Sequence, residues 1–104
     1  MPKYKQYYQM MIDRNKEFFD SFGRLHFEYE NDQEGLQDKF NEEGMKALEY
    51  IREYEDRLCN QSERGGYSKY TGNLAEKFQG EVRKNYPLID NVGIKTFDIR
   101  KISL

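Results

Sequence analysis

Two stretches of this chain place apolar and aromatic residues at the spacing of helices that pack against other helices. The first stripe alternates steps of four and three residues and comprises Tyr4, Tyr8, Met11, Asn15, Phe18, Phe22, Leu25 and Tyr29. The second comprises Leu36, Phe40, Gly44, Ala47, Ile51, Tyr54 and Leu58. On a helix its members fall within roughly 80° of one another. Stripes this narrow resemble a coiled-coil seam and need a partner of the same kind.

The stripes predict two long helices, over about residues 3–29 and 32–60, that fold back as an antiparallel hairpin. The break between them, residues 31–35, offers Asn31 or Asp32 as the cap of the second helix. Asn15 is the polar exception in the first stripe. It either lies near water at an edge of the seam or is a buried residue that fixes the register of the packing. Gly23 and Gly44 mark positions where another backbone can approach or the helix can bend.

The last third of the chain changes character. A glycine-containing loop is expected over residues 61–72, followed by a short helix over about 73–86 that Pro87 ends. The tail, residues 87–104, is apolar and rich in β-branched residues, and from Ile94 onward it favours a strand. Three arrangements satisfy its backbone: a hairpin of residues 88–92 with 94–102, pairing with another chain, or an extended segment packed on the helices.

The composition describes one folded, helix-rich domain of 104 residues, with 35% charged and 15% aromatic residues. The net charge of −2 is unevenly distributed: residues 31–60 carry four basic and nine acidic groups, and residues 61–104 carry eight basic and five acidic ones. A single cysteine, Cys59, fits a reducing compartment. With no apolar run that spans a bilayer and no signal-peptide pattern, we expect a cytoplasmic protein without a membrane partner.

The sequence contains none of the common catalytic or nucleotide-binding motifs. His26 and Glu30 are spaced for one face of a helix, but two residues are too few for a metal site. We interpret His26 as structural, with metal ligation and a pH-responsive role as the alternatives. Cys59 lacks a neighbouring base and is interpreted as an unreactive thiol. We therefore expect no enzymatic activity, no cofactor and no metal.

The predicted fold is mainly α: a long antiparallel helical hairpin, a short third helix and a C-terminal extended or β segment. The predicted function is a non-enzymatic protein–protein interaction module, expected to form a homodimer through the helical stripe, the apolar tail or both, with another protein as a further or alternative partner. The predicted partner-binding residues are Tyr67, Tyr70, Ile94, Phe97 and Ile99. The alternative is a small nucleic-acid-binding regulator that uses the basic last third of the chain, through Arg64, Lys69, Arg83 and Lys84.

Overall fold

The computed structural model describes residues 2–64 and 71–93, apart from the side chains of residues 62–64 and 71–72. The described helices are α1 (Lys3–Arg14), α2 (Lys16–Asn31), α3 (Gln33–Arg64) and α4 (Thr71–Asn85), followed by a short 3-10 helix (Ile89–Asn91). This part of the chain is mainly helical, as the sequence predicted, and it contains no strand.

The predicted helix over residues 3–29 is two helices, because the backbone leaves helical geometry at Asn15 (φ −126°, ψ 38°). The Asn15 side-chain amide donates to the Met11 carbonyl at 3.0 Å, and the Asn15 carbonyl accepts the Phe19 N–H at 3.0 Å. An asparagine side chain that bonds to nearby backbone competes with the regular helical ladder. Asn15 is half-buried and separates α1 from α2. Its partial exposure at a helix end agrees with the interpretation in which water reaches Asn15, whereas the break of the helix at this residue was not predicted.

Asp32 alone separates α2 from α3 and serves both helices. Its N–H donates to the Glu28 carbonyl at 3.0 Å, which closes α2. Its carboxylate accepts the Gly35 N–H at 3.0 Å, which satisfies a free donor in the first turn of α3. The expectation that this position caps the second helix is confirmed at Asp32, whereas Asn31 belongs to the last turn of α2.

Ten of the fourteen buried apolar residues in the described part of the chain come from the two predicted stripes. The long helix α3 contacts α1, α2 and α4. The Tyr29 and Phe40 rings stack with centroids 3.9 Å apart, and the Phe18 and Tyr50 rings lie 5.1 Å apart. The buried apolar side chains of the described residues are Tyr8, Met11, Phe19, Phe22, Leu25, Tyr29, Phe40, Ala47, Ile51, Tyr54, Leu58, Phe78, Val82 and Ile89. Most of the two stripes is therefore covered within a single chain.

The third predicted helix is α4, which packs against α1 and α3. Phe78 and Val82 are fully buried, and the Phe78 ring meets the Tyr8 ring edge-on with centroids 6.5 Å apart. The helices are longer than predicted at the intervening loop: α3 continues to Arg64, and α4 begins at Thr71. The predicted loop 61–72 is therefore helical at both ends, and residues 65–70 lie outside the described part of the chain.

The prediction of an extended chain is wrong for the beginning of the tail. Residues 87–93 form turns and the 3-10 helix, with successive backbone bonds from Ile89 N–H to the Tyr86 carbonyl, from Asn91 N–H to the Leu88 carbonyl and from Val92 N–H to the Ile89 carbonyl. Bonds between residues three apart wind the chain tightly and leave no strand for a hairpin over residues 88–92. The predicted strand from Ile94 onward lies outside the described residues.

Candidate functional site

Residues 86–93, which we name the docked segment, lie against α2 and α3 and include the start of the predicted tail. From here on, the tail means the residues that follow, 94–104. Near its start, the Leu88 N–H donates to Nε2 of His26 at 3.1 Å. At its end, the Gly93 N–H donates to Oδ1 of Asn41 at 2.9 Å. Between them Ile89 is buried in the core, with 4% of its surface exposed. Two side chains from two different helices thus fix the backbone of this segment at both ends.

His26 lies in an aromatic cage. Its ring centroid is 6.4 Å from Phe22 on its own helix, 5.9 Å from Phe40 on α3 and 5.7 Å from Tyr86 in the docked segment. Nδ1 lies 3.2 Å from a carboxylate oxygen of Glu30, and only 4% of the residue is exposed. Both ring nitrogens therefore have partners, which makes His26 structural in this arrangement.

The hydrogen bonds define the protonation state of the His26 ring. Nε2 accepts an N–H and must carry a lone pair, so the proton of the neutral ring is on Nδ1 and points to the Glu30 carboxylate. Burial lowers the pKa of His26, and the nearby charge of Glu30 opposes that shift without cancelling it. The neutral ring is therefore the form that the folded chain selects.

Gly44 and Gly93 allow the segment to approach α3. A β-carbon at Gly44 would lie 2.9 Å from Cγ1 of Val92, which is closer than real side chains tolerate. Gly93 has a φ of +89°, a backbone conformation that favours glycine. The sequence predicted a close approach at Gly44, and the structure shows that the neighbour is Val92 from the docked segment. An added β-carbon at Gly23, by contrast, meets nothing within 4 Å.

The predicted partner-binding residues Tyr67, Tyr70, Ile94, Phe97 and Ile99 all lie outside the described part of the chain. The same holds for Lys69 and for the side chain of Arg64 among the predicted nucleic-acid contacts. Arg83 and Lys84 are exposed in the last turn of α4. The Arg83 guanidinium is paired with Asp90 of the docked segment through an Nε to Oδ2 contact of 3.1 Å.

Packing of residues 87–104 on the helices was one of the three predicted arrangements, but sequence reasoning identified neither Asn41 nor His26 as the residues that hold the start of this stretch. Asn41 lies 52 positions before its partner Gly93, and His26 lies 62 before Leu88, so no local pattern connects them. The usable signal was a glycine, Gly44, on an apolar stripe with a polar residue one turn earlier. That combination indicates a backbone approaching the helix, although it does not identify which backbone.

Two observations on the described residues bear on binding of a metal or a small ligand. Among residues 2–64 and 71–93, no group of three or more His, Cys, Asp or Glu side chains is arranged to hold a metal ion. A solvent-open groove of about 440 Å³ between α2 and α3 is lined mostly by polar and charged side chains: Ser21, Phe22, Arg24, Leu25, Glu28, Lys39 and Glu43. Ligand sites are usually enclosed and mostly apolar, and this groove is neither.

Comparisons of the chain with protein-family models, with curated proteins and with solved structures found no match. Of the helices in the described part of the chain, none is long and apolar enough to cross a membrane.

Proposed function

We propose that this chain is a non-enzymatic interaction module that forms a homodimer through its apolar C-terminal tail. In this proposal an antiparallel hairpin, α1 and α2 against α3, is the rigid body that carries the tail. The observation that supports it is the attachment of Gly93 to Asn41 at 2.9 Å, immediately before Ile94. A tail whose first residue leaves a fixed point loses less conformational freedom on pairing than one that leaves a flexible linker.

The burial pattern favours the tail over the helical stripe as the contact. Phe40, Ala47 and Leu58 of the second stripe have no exposed surface, and Phe22 of the first is 2% exposed. A dimer built on those residues would have to open the core of each chain. In the tail, the β-branched content from Ile94 onward and the alternation at Phe97 and Ile99 suit strand pairing, in which main-chain hydrogen bonds supply affinity and alternate side chains supply specificity.

Light scattering on the full chain and on a version ending at Gly93 tests the proposal. The cut falls after Gly93 so that the contacts of Leu88, Val92 and Gly93 with the helices remain. We expect the full chain to be a dimer and the shortened chain to be a folded monomer. A dimer of unchanged stability after the cut would place self-association outside the tail, and a monomeric full chain would reject self-association.

Matched serine variants of the full chain locate the contact within the tail. Replacing Ile94, Phe97 and Ile99 removes the apolar side chains, whereas replacing Lys95, Thr96 and Asp98 changes the polar positions among them. We expect only the first triple variant to become monomeric. Equal weakening by both would indicate that backbone pairing, rather than these side chains, determines the dimer.

Nucleic-acid binding is the competing hypothesis and has its own signature. Phosphate contacts would make the affinity of the full chain for a single-stranded oligonucleotide fall steeply with salt. Replacing Lys69 and Lys84 with alanine would then weaken binding. Such a result in a chain that stays monomeric would replace the interaction proposal, whereas no salt-dependent binding would remove the nucleic-acid hypothesis.

A further inference from the structure

We propose that His26 is an acid-sensitive catch for the docked segment: protonation of its ring releases residues 86–93 from α2. The proposal adds regulation to the function inferred above. Any effect of this release on dimerisation through the tail rests on the proposed function. The release itself does not, and it can be tested in a monomer.

The geometry makes the contact depend on one proton. Nε2 of His26 accepts the Leu88 N–H at 3.1 Å, so its lone pair is required. When the ring gains a proton, Nε2 becomes a second N–H donor that faces the Leu88 donor, and the hydrogen bond is lost. The ring lies between Phe40 and Tyr86, so it cannot turn to water without displacing the docked segment.

The groups around the His26 ring determine the pH at which it gains a proton. On α2, Glu30 stabilises the protonated ring through Nδ1. From α3 the ring of Phe40 contacts His26 and carries no charge. From the docked segment, burial raises the pKa of the Tyr86 phenol, with a smaller contribution from Asp20, so that phenol is neutral in the relevant pH range. Asp90 of the same segment is paired with Arg83.

Whether acid favours or opposes release depends on which state, docked or released, protonates His26 more easily. In the docked state, burial holds its pKa below the ordinary value of 6.5. Once the segment leaves, the ring is solvated and its pKa rises toward that value. The released state therefore binds the proton more tightly, and release becomes favoured as pH falls below 6.5 toward the pKa of the docked state.

The experiment exploits the fact that His26 is the only histidine in the chain, so its ring resonances are unambiguous. NMR follows the ring through a titration from about pH 7.5 to about pH 4.5, which lies mostly above the carboxylate pKa range. In parallel, hydrogen exchange is measured for the Leu88 amide and for the Ile51 amide in the core of α3. Rates are corrected for the intrinsic pH dependence of exchange.

We expect the protection of the Leu88 amide to fall about tenfold as the ring protonates, while the Ile51 amide stays protected. The matched control is His26→Gln, because its side-chain carbonyl offers a neutral acceptor near the position of Nε2. In that variant the Leu88 protection should not change with pH. In Glu30→Gln, loss of the favourable charge should move the ring pKa and the release to lower pH.

Three results would overturn the catch: a ring that protonates while Leu88 stays protected, a loss of protection that is equal in His26→Gln, or a ring that remains neutral down to about pH 4.5. All three are read from the His26 ring and the Leu88 amide, and they leave the tail-dimer proposal standing. If the docked segment is released on protonation but the full chain never dimerises, the proposed function is rejected and the catch is retained.

Discussion

The interface between α2 and α3 and the attachment of the docked segment are held by different physics. The first is a stack of aromatic rings, in which Phe40 lies 3.9 Å from Tyr29 and 5.6 Å from Phe22 between ring centroids. The second combines the buried side chain of Ile89 with single acceptor atoms of His26 and Asn41 and with the missing side chain of Gly44. Apolar packing is non-directional and insensitive to pH. A hydrogen bond to a single lone pair, by contrast, is lost when that lone pair gains a proton or when the acceptor atom is removed.

The largest effect should come from the ring stack. Phe40→Ala removes a side chain with no exposed surface and leaves a cavity beside Tyr29 and Phe22, so we expect the free energy of unfolding to fall by about 3–5 kcal/mol. Urea unfolding followed by circular dichroism measures this loss. Met45→Ala on the same helix is the control, because Met45 is 53% exposed and should cost less than about 0.5 kcal/mol. Similar losses in both variants would contradict the proposed packing of α2 on α3.

The docked segment should be sensitive to a single methyl group at Gly44. Gly44→Ala would place a β-carbon 2.9 Å from Cγ1 of Val92, and we expect a destabilisation of about 1–3 kcal/mol despite the better helix propensity of alanine.

The same substitution at Gly23 is the matched control for Gly44→Ala. An added β-carbon at Gly23 meets nothing within 4 Å, so Gly23→Ala should stabilise the protein by about 0.5–1 kcal/mol. Adding Val92→Ala to Gly44→Ala should recover part of the loss by removing the clash. Stabilisation by Gly44→Ala would show that the segment does not rest on α3.

The same contrast separates what the sequence could predict from what it could not. The stripes of α2 and α3 were readable because an apolar period is a local property, and the Asp32 cap was readable because its partner is three residues away. The break at Asn15 was missed because apolar spacing does not report how an asparagine side chain competes for backbone carbonyls. Packing of residues 87–104 on the helices was one of three open alternatives, and the sequence could not choose among them because the hydrogen bonds of the docked segment join residues that only the folded chain brings together.

A smaller loss is expected at the boundary of α2 and α3. Asp32→Ala removes the carboxylate that accepts the Gly35 N–H at 3.0 Å, and loss of such a cap typically costs about 1 kcal/mol. Asp38→Ala removes the same charge from an exposed position inside α3 and should be neutral within about 0.5 kcal/mol. The difference between the two melting temperatures isolates the cap from the change in net charge. No difference would mean that Asp32 contributes only through its backbone.

The smallest effect should come from the ion pair that joins α4 to the docked segment. Arg83 and Asp90 are 3.1 Å apart, but their side chains are 53% and 67% exposed, so solvent screens the attraction. We expect Arg83→Gln to change the free energy of unfolding by less than about 0.5 kcal/mol and to leave the Leu88 amide protected. Lys84→Gln removes an equal charge from the same turn and is the control. A larger loss of stability in Arg83→Gln than in Lys84→Gln, accompanied by faster exchange of the Leu88 amide, would contradict this expectation. It would mean that the ion pair stabilises the docked segment together with His26 and Asn41. The segment would then depend on salt as well as on pH.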